Sequence, residues 1–353
     1  LFEVDLTYPD SIKNKTQDFP LAPESGYVTE DMFSPFMTQF NNYLVQQSNP
    51  KFQSYRKLLL TQYNKTNYVV HYAILKFCLE KGMVLDKIHQ AISFKQKPFL
   101  KPYIDFNSQK RAQATNNFQK DFFKLKNNAL YGKTMEDVRK RTDYRIVTDE
   151  NKLVKLANSP LFVDRDIITE DITGVKLFKS QVQLCKPVYI GQAVLDYSKL
   201  EMYRLFYDTF KHCKLLKHVE LVGGDTDSFF LALTMDKHIT TSHILQSLRQ
   251  QFDSSNYPTE HPLYSTVNKA KLGCFKDECA GKEIKQMILL RPKMYSIKLK
   301  DSKDSIKRGK GISKSIIKQM KHSTYRKVLK DRTFNRVNMT ILKSTSHQVA
   351  TTT

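Results

Sequence analysis

The stretch that most constrains the fold is HVELVGGDTDSFFLAL, His218 to Leu233, in which two apolar runs flank a tight polar turn. This pattern is typical of a β-hairpin. The predicted turn carries Asp225 and Asp227, two residues apart. In extended backbone, side chains at that spacing leave the same face of the strand, so we expect both carboxylates to point the same way.

Two carboxylates this close repel each other, and a divalent cation relieves the repulsion. A ligand set made only of oxygens suits Mg²⁺, which keeps part of its water shell and binds phosphates. Asp, Thr and Ser are also ordinary turn residues, so a plain solvated turn is the alternative. The position of the acids between apolar strands in a basic chain favours the metal site.

The charge of the chain is strongly unbalanced, with 57 Lys and Arg against 35 Asp and Glu, a net +22. Such a surplus indicates a polyanionic partner, because each basic contact with a phosphate releases a condensed counterion. Five scattered cysteines lack zinc-site spacing and favour a reducing, intracellular location. The sequence has no signal peptide and no apolar run of about 18 residues, so we expect no membrane partner.

Residues 104–133 show one long helical pattern. At about 100° per residue, one stripe of this helix holds three lysines and no acid, which suits a triphosphate or a nucleic-acid backbone. A solvated face would have the same composition. The stripe consists of Lys110, Gln113, Asn117, Lys120, Lys124 and Asn128, and the neighbouring face, expected to pack inward, of Phe118, Phe122 and Leu125. Gly132 permits a left-handed stop, and Tyr131 could offer its ring to a base.

The remaining segments predict an α+β fold. We expect a strand over 1–6, helices over 30–46, 66–82, 190–211 and 237–252, and paired strands over 283–299. Residues 134–190 are mixed, and 303–343 form a basic tail with helix and strand fragments.

Three motifs, in this order, resemble the protein-primed branch of family B DNA polymerases of phages, linear plasmids and Polinton or Maverick transposons. Motif B of that family, Lys-x-x-x-Asn-Ser-x-Tyr-Gly, is matched by Lys124, Asn128, Tyr131 and Gly132, with Ala129 in place of the serine. Motif C is matched by Asp225-Thr226-Asp227-Ser228, with Gly223 where an aromatic residue usually lies, and the Lys-x-Tyr motif by Lys293-Met294-Tyr295. The segments LGCFKDE, PYIDFNSQKRAQATNNFQKDFFKL and EVDLTYPDSIKNKTQDFPLAPE are also similar to the family, so the likeness covers most of the chain.

The resemblance implies the right-hand fold of polymerases, with an antiparallel palm sheet and its helices, helical fingers and a small thumb. The implied segments are a palm strand and loop (1–25), an insertion (26–100), fingers with motif B (101–133), a second insertion (134–188), palm with motif C and Lys-x-Tyr (189–302) and partial thumb (303–353). Asp5 lies in EVDLTYP, which is similar to motif A, yet only Leu6 and Thr7 separate Asp5 from Tyr8, fewer than that motif places there. We therefore expect motif A and the exonuclease domain to lie upstream of Leu1, outside this chain.

The implied activity is that of a DNA-directed DNA polymerase, a nucleotidyltransferase that uses dNTPs, a DNA primer-template, two Mg²⁺ ions (or Mn²⁺) and a terminal priming protein. Asp227 is the first metal ligand expected and Asp225 the second. Lys124, Lys120 and Arg111, with Lys110 as an alternative to Arg111, would neutralise the triphosphate, and Asn128 and Tyr131 would line the new base pair. Lys293 and Tyr295 would hold the primer end, with Gly132, Thr226 and Ser228 also on the primer-template side.

Three other functions remain open from the sequence. A metal-dependent nuclease would also use clustered acids and a basic surface, but would not need motif B. A decayed transposon remnant would only bind nucleic acid, and a reverse transcriptase would place its paired aspartates in a different context. Because a two-metal centre needs a further carboxylate, we expect the isolated chain to be a poor polymerase.

Overall fold

Short antiparallel sheets and helices alternate along the chain in a computed structural model, and the predicted α+β class is confirmed. The structure describes residues 1–46, 54, 56–300, 302–303, 305–333, 335–345 and 348–352. Parts of the implied insertion 26–100, of the implied palm at 301, and of the tail and thumb (304, 334, 346, 347 and 353) therefore lie outside the described residues.

The strands are β1 (Phe2–Thr7), β2 (Glu24–Tyr27), β3 (Arg56–Leu59), β4 (Lys65–Val70), β5 (Val84–Ala91), β6 (Asp143–Val147), β7 (Phe162–Thr169), β8 (Ile172–Leu177), β9 (His218–Gly224), β10 (Phe229–Thr234), β11 (Phe252–Asp253), β12 (Phe275–Lys276), β13 (Ile284–Arg291), β14 (Met294–Leu299), β15 (Ser305–Gly309), β16 (Ile341–Thr345) and β17 (Gln348–Thr352). The helices are α1 (Asp10–Thr16), α2 (Pro35–Gln46), α3 (Tyr72–Glu80), α4 (Lys101–Gln113), α5 (Asn117–Thr134), α6 (Glu150–Ala157), α7 (Val188–Tyr203), α8 (Thr241–Ser247), α9 (Lys314–Gln319) and α10 (His322–Asp331).

The chain divides into two compact units. The first comprises residues 1–98, 192–222 and 227–238, and the second comprises residues 99–191, 223–226 and 239–353. These units cut across the segments implied by the family resemblance, which remain a prediction. Among the described residues, no helix combines the length and the apolar character needed to span a bilayer.

The first unit is built around β1, the centre of the antiparallel sheet β4-β1-β5. Val4 and Leu6 of β1 alternate with more exposed neighbours and are buried, as expected for a strand with one face on a core. Phe19 lies with its ring centroid 4.7 Å from that of Tyr203 and 5.3 Å from that of Phe229. This aromatic cluster fixes the start of β10, the strand that follows Asp227.

The second unit contains two three-stranded antiparallel sheets, β13-β14-β15 and β6-β8-β7. Helix α6 packs on the latter sheet, whose core is formed by Val147, Val175 and Leu177. Helix α10 packs on β13 and β14, and its buried Tyr325 donates a hydrogen bond to the Arg308 carbonyl. The strand that carries Tyr295 is therefore supported from one face and paired on both edges.

Several predicted elements are confirmed: the strand over 1–6, the hairpin, the helix over 190–211 and the paired strands over 283–299. The helix 190–211 ends in a π-helical turn, Arg204–Phe210. The prediction over 66–82 is wrong for its first part, because residues 65–70 form β4, whose β-branched and aromatic residues pair with β1. Only 241–247 of the predicted helix 237–252 and 35–46 of the predicted helix 30–46 are α-helical.

The single helix predicted over 104–133 is also wrong, because the chain breaks between α4 and α5. Asn116 is the N-cap of α5, and its side chain accepts a hydrogen bond from the Gln119 N–H at 2.9 Å. Asn competes with helical hydrogen bonding and favours such caps. The predicted stripe is therefore divided: Lys110 and Gln113 belong to α4, and the other members belong to α5.

The predicted inward packing of the apolar face of α5 is wrong. Phe118, Phe122 and Leu125 are 78%, 44% and 63% exposed. The side of α5 that meets α4 carries Asn127, whose Nδ2 donates to Ser108 Oγ at 3.4 Å. At about 100° per residue, the three apolar side chains lie roughly opposite Asn127 and so turn away from α4.

Candidate functional site

The predicted hairpin supplies the turn that carries the two acids. Strand β9 ends at Gly224 and β10 begins at Phe229, and the two strands pair in one sheet. So short a connection requires an antiparallel pair. At the open end of the hairpin, the Lys217 N–H donates to the Thr234 carbonyl at 2.8 Å.

The backbone of the turn is not extended, which corrects the geometry assumed for the two acids. Thr226, between them, has φ of +59°, a left-handed conformation that disfavours residues with a Cβ by roughly 1–2 kcal/mol. Its hydroxyl donates to Asp225 Oδ1 at 3.2 Å. The rule that alternate side chains share a face therefore does not apply across Thr226.

Asp225 forms an ion pair with Lys293, with 3.1 Å between Asp225 Oδ1 and Lys293 Nζ. The two side chains are 31% and 49% exposed, respectively. Asp225 of motif C and Lys293 of the Lys-x-Tyr motif are far apart in the sequence but belong to the same compact unit, where this contact joins them. The sequence predicted a role for each residue but not their contact.

Lys293 occupies a strained position of its own. It follows Pro292 in the two-residue loop between β13 and β14 and has φ of +64°. Proline fixes its own φ near about −65°, and a positive φ at the next residue is the combination found in type II turns, where glycine is preferred. The loop therefore accepts backbone strain at the residue whose ammonium group reaches Asp225.

Tyr295 follows two residues later on β14, opposite Leu289 of β13 and Arg308 of β15. Burial raises the pKa of the Tyr295 hydroxyl; the positive charge of Arg308 opposes this effect, and the negative charge of Asp225 adds to it. The phenol is therefore neutral and able to donate a hydrogen bond at physiological pH.

Asp227 is exposed, and its carboxylate contacts no hydrogen-bond or cationic partner in the part of the chain that the structure describes. Ser228, next to it, is half-buried. The described residues include no group of three or more His, Cys, Asp or Glu side chains placed to hold a metal ion. The turn offers carboxylate oxygens of the type that Mg²⁺ uses, and further ligands must come from elsewhere.

Asp5 is engaged in contacts of its own sheet in the first unit. Its Oδ1 accepts a hydrogen bond from the Asn67 N–H at 2.8 Å and lies 2.8 Å from His89 Nε2. The Asn67 hydrogen bond, followed by that of His89, lowers the pKa of the Asp5 carboxyl. These contacts give Asp5 a structural role between β1, β4 and β5.

The basic residues predicted to bind dNTP lie on the α4–α5 pair. Arg111 is on α4 and Lys120 and Lys124 are on α5; all are exposed, and none has an ionic partner among the described residues. Asn128 is exposed and Tyr131 half-buried, both on α5. The structure thus leaves these cations open to an anionic ligand.

The left-handed stop predicted at Gly132 is wrong, because α5 continues to Thr134. The Thr134 hydroxyl donates to the Tyr131 carbonyl at 2.8 Å, and the Met135 N–H donates to the Gly132 carbonyl at 3.2 Å. A Cβ added at Gly132 would meet no heavy atom of the described chain within 4 Å. Gly132 is therefore not required by the packing of this helix, and Ala129, where motif B has serine, is also exposed.

The C-terminal end of α5 is held by a carboxylate that the sequence analysis missed. Glu136 accepts two hydrogen bonds from Arg141 at 2.7 Å and lies 3.1 Å from Lys186 Nζ and 3.2 Å from Lys133 Nζ. The Arg141 hydrogen bonds, followed by that of Lys186, lower the pKa of Glu136 well below its ordinary range. Glu136 thereby ties the end of motif B to the segment that follows it.

A second missed feature is polar and lies between α4 and α5. Asn107 of α4 is fully buried, and neither atom of its amide group has a hydrogen-bond partner among the described residues. The Oδ1 of Asn127 on α5 is also buried and has no hydrogen-bond partner among the described residues. Because the helix is otherwise rich in polar residues, nothing in the sequence indicates that this asparagine is buried.

Comparison with models of protein families found no match. Searches of curated proteins and of solved structures likewise found nothing similar to this chain. The arguments for a function therefore rest on the motifs and on the geometry described above.

Proposed function

We propose that the chain is the polymerase part of a protein-primed family B DNA polymerase, with the right-hand arrangement of palm, fingers and thumb. It would transfer a nucleotidyl group from a dNTP to a 3′-hydroxyl, or first to the hydroxyl of a priming protein, as a template directs. The DNA primer-template, the dNTPs and the priming protein are the partners that this activity requires.

The contact between Asp225 and Lys293 at 3.1 Å is the observation that carries the proposal. A polymerase must hold the primer 3′ end next to the metal ligands, and these residues match the motifs with those two tasks. A nuclease or a simple binding protein would have no need to bring a Lys-x-Tyr hairpin to an Asp-Thr-Asp turn.

The reaction is an in-line displacement at phosphorus. The 3′-hydroxyl loses its proton, its oxygen bonds to the α-phosphorus of the dNTP, and the bond to pyrophosphate breaks with its electron pair on the leaving oxygen. Asp227 and Asp225 are the residues that would hold Mg²⁺, which when bound neutralises charge on the attacking and leaving oxygens. The exposed cations Lys124, Lys120 and Arg111 would balance the triphosphate charge.

Lys293 has two partners in this scheme. Without substrate, its ammonium group neutralises Asp225. When a primer is bound, a phosphate of the primer end can take the ammonium group and leave the carboxylate available as a ligand. The phenol of Tyr295, which is protonated at physiological pH, can donate a hydrogen bond to the same end of the primer.

Primer extension tests the proposal, with the 353-residue chain and the full-length product of its gene assayed side by side. In Asp227→Asn, the rate should fall more than about a hundredfold, since metal-bound charge contributes several kcal/mol. Glu220→Gln is the matched control: it removes an exposed acid from the same hairpin, has no partner among the described residues, and should leave the rate unchanged.

Three outcomes separate the alternatives. Extension by the full-length protein that depends on Asp227 supports the polymerase. Shortening of the labelled strand without dNTPs indicates a nuclease. Binding of DNA with neither reaction, by the full-length protein as well as the chain, indicates a nucleic-acid-binding remnant.

A further inference from the structure

A cavity of about 760 Å³ lies within the second unit, in the segment 245–277. One wall is the end of α8 and the turn that follows it, and the other is the loop after β11. Its volume falls within the range of about 300–1,000 Å³ that small ligands occupy in proteins. No metal ligand, dNTP contact or primer contact assigned above belongs to this segment.

The amide group of Asn268 helps to hold the loop that forms one wall. Asn268 Nδ2 lies 3.1 Å from the carbonyl oxygen of Arg249, 3.3 Å from that of Gln250 and 3.0 Å from that of Phe252. These contacts join the loop to the opposite wall. The two walls of the cavity are therefore linked to each other through Asn268.

The two acids that line the cavity are fully engaged inside its walls. Asp253 accepts two backbone N–H hydrogen bonds and lies 3.1 Å from Lys276 Nζ. Burial alone would raise the pKa of Asp253, but these hydrogen bonds outweigh it and lower the pKa to about 2. Asp277 accepts the Tyr257 hydroxyl and two further backbone N–H groups at 2.8 Å each. Lys276 offsets the charge of Asp253, and the oxygens of Asp277 are taken up by three hydrogen bonds from neutral donors.

The groups that remain for a ligand are cationic, aromatic and amide. Arg249 and Lys271 line the cavity, and neither has an ionic partner in the described part of the chain. The carboxamides of Gln246 and Gln250 also lack partners among the described residues, and Tyr264 contributes a ring. Cations bind phosphate, rings stack on bases, and amides pair with base edges.

We propose that this cavity binds one nucleotide of a single-stranded nucleic acid, with its phosphate on Arg249 and Lys271 and its base against Tyr264. The strand would pass over the second unit. That the partner is a nucleic acid rests on the proposed function, and the net charge of +22 agrees with a polyanionic partner. The combination of a basic surface with a stacking ring is how many proteins hold single strands.

Fluorescence anisotropy with a labelled oligothymidylate, in EDTA and without dNTPs, tests the site on the 353-residue chain. The variants are Arg249→Gln with Lys271→Gln, and Tyr264→Leu. The matched control, Lys269→Gln with Lys282→Gln, removes the same charge from one exposed residue within this segment and one just after it, neither of which lines the cavity. Circular dichroism checks that each variant is folded, as expected for side chains that make no described contacts.

The double cavity variant should bind about tenfold more weakly than the control, and the slope of log K against log salt should fall by about 0.7, because both cations are assigned to one phosphate of a single strand. Tyr264→Leu should weaken binding several-fold with an unchanged slope. Unlabelled dTTP should compete far less well than the unlabelled oligonucleotide.

Equal binding by the cavity variant and the control would overturn the proposal. Competition by dTTP as strong as that by the oligonucleotide would also overturn it, in favour of a free nucleotide. The assay contains no metal, so an Asp227→Asn chain should bind the strand normally. A negative result in this binding assay would therefore leave the polymerase proposal untouched. A negative result in primer extension would leave the proposed binding site untouched.

Discussion

Replacing Lys293 by glycine should separate the stability of the protein from its activity. Lys293 has φ of +64°, which disfavours a residue with a Cβ by about 1 kcal/mol. Its ion pair with Asp225 is about half-exposed and contributes about 0.2–1 kcal/mol. Lys293→Gly removes both the backbone strain and the ion pair. The free energy of unfolding should therefore stay constant or rise by up to about 1 kcal/mol.

Lys293→Ala provides the comparison, because it loses the ion pair and keeps the strain. The glycine variant should therefore exceed the alanine variant by about 1 kcal/mol in free energy of unfolding. Both variants should lose primer extension, since neither has the ammonium group. Urea unfolding followed by far-UV circular dichroism measures the difference, as the chain has no tryptophan.

Lys285 is a control position, at which the order of stability of the glycine and alanine variants should be the reverse. It is exposed on β13, and its φ is not positive. Here Lys285→Ala should be more stable than Lys285→Gly by about 0.5–1 kcal/mol. If alanine is as stable as glycine at position 293, the argument from backbone strain is refuted.

Two further predictions concern the α4–α5 pair. Asn107→Leu should raise the free energy of unfolding by about 1 kcal/mol, because it removes a buried amide group without a partner among the described residues. Gln109→Leu, at an exposed position of the same helix, is the control and should change the free energy of unfolding little. A lower free energy of unfolding in Asn107→Leu would contradict this explanation. Glu136 has a lowered pKa, so its contribution is present above its ordinary value of 4.5 and is lost progressively as the pH falls below it. The difference in melting temperature between the wild type and Glu136→Gln should therefore be largest near neutral pH and shrink in acid, and a constant difference would exclude this role.

The sequence predicted those elements whose side-chain pattern is local and strong. The hairpin of β9 and β10 and the pair of β13 and β14 have apolar runs of strand length around short turns, and both are confirmed. The paired acids at the turn follow directly from the same pattern. Local periodicity therefore located the main parts of the candidate site.

Other features depend on competition between local signals. In residues 65–70, β-branched and aromatic side chains pair with β1, although the apolar spacing also fits a helix. Asn116 ends one helical pattern and begins another, because its cap outweighs the helical propensity around it. Each wrong helix prediction therefore results from a strand contact or a helix cap that hydrophobic periodicity does not take into account.

The contact between Asp225 and Lys293 lies beyond what any local pattern contains. It depends on how two hairpins meet and on positive φ at two residues that are not glycine, Thr226 and Lys293. The cavity around Asn268 is similar, since its walls come from a loop without a recognisable motif. Tertiary contacts of this kind require the structure.

Single-nucleotide incorporation is the sharpest test of template-directed nucleotidyl transfer. The full-length protein is given one dNTP at a time on primed templates that differ only in the next template base, with Mg²⁺ present. A template-directed polymerase should add the complementary dNTP in each case, and Asp227→Asn should abolish the addition. Incorporation that ignores the template base, or that survives in Asp227→Asn, would contradict the polymerase proposal.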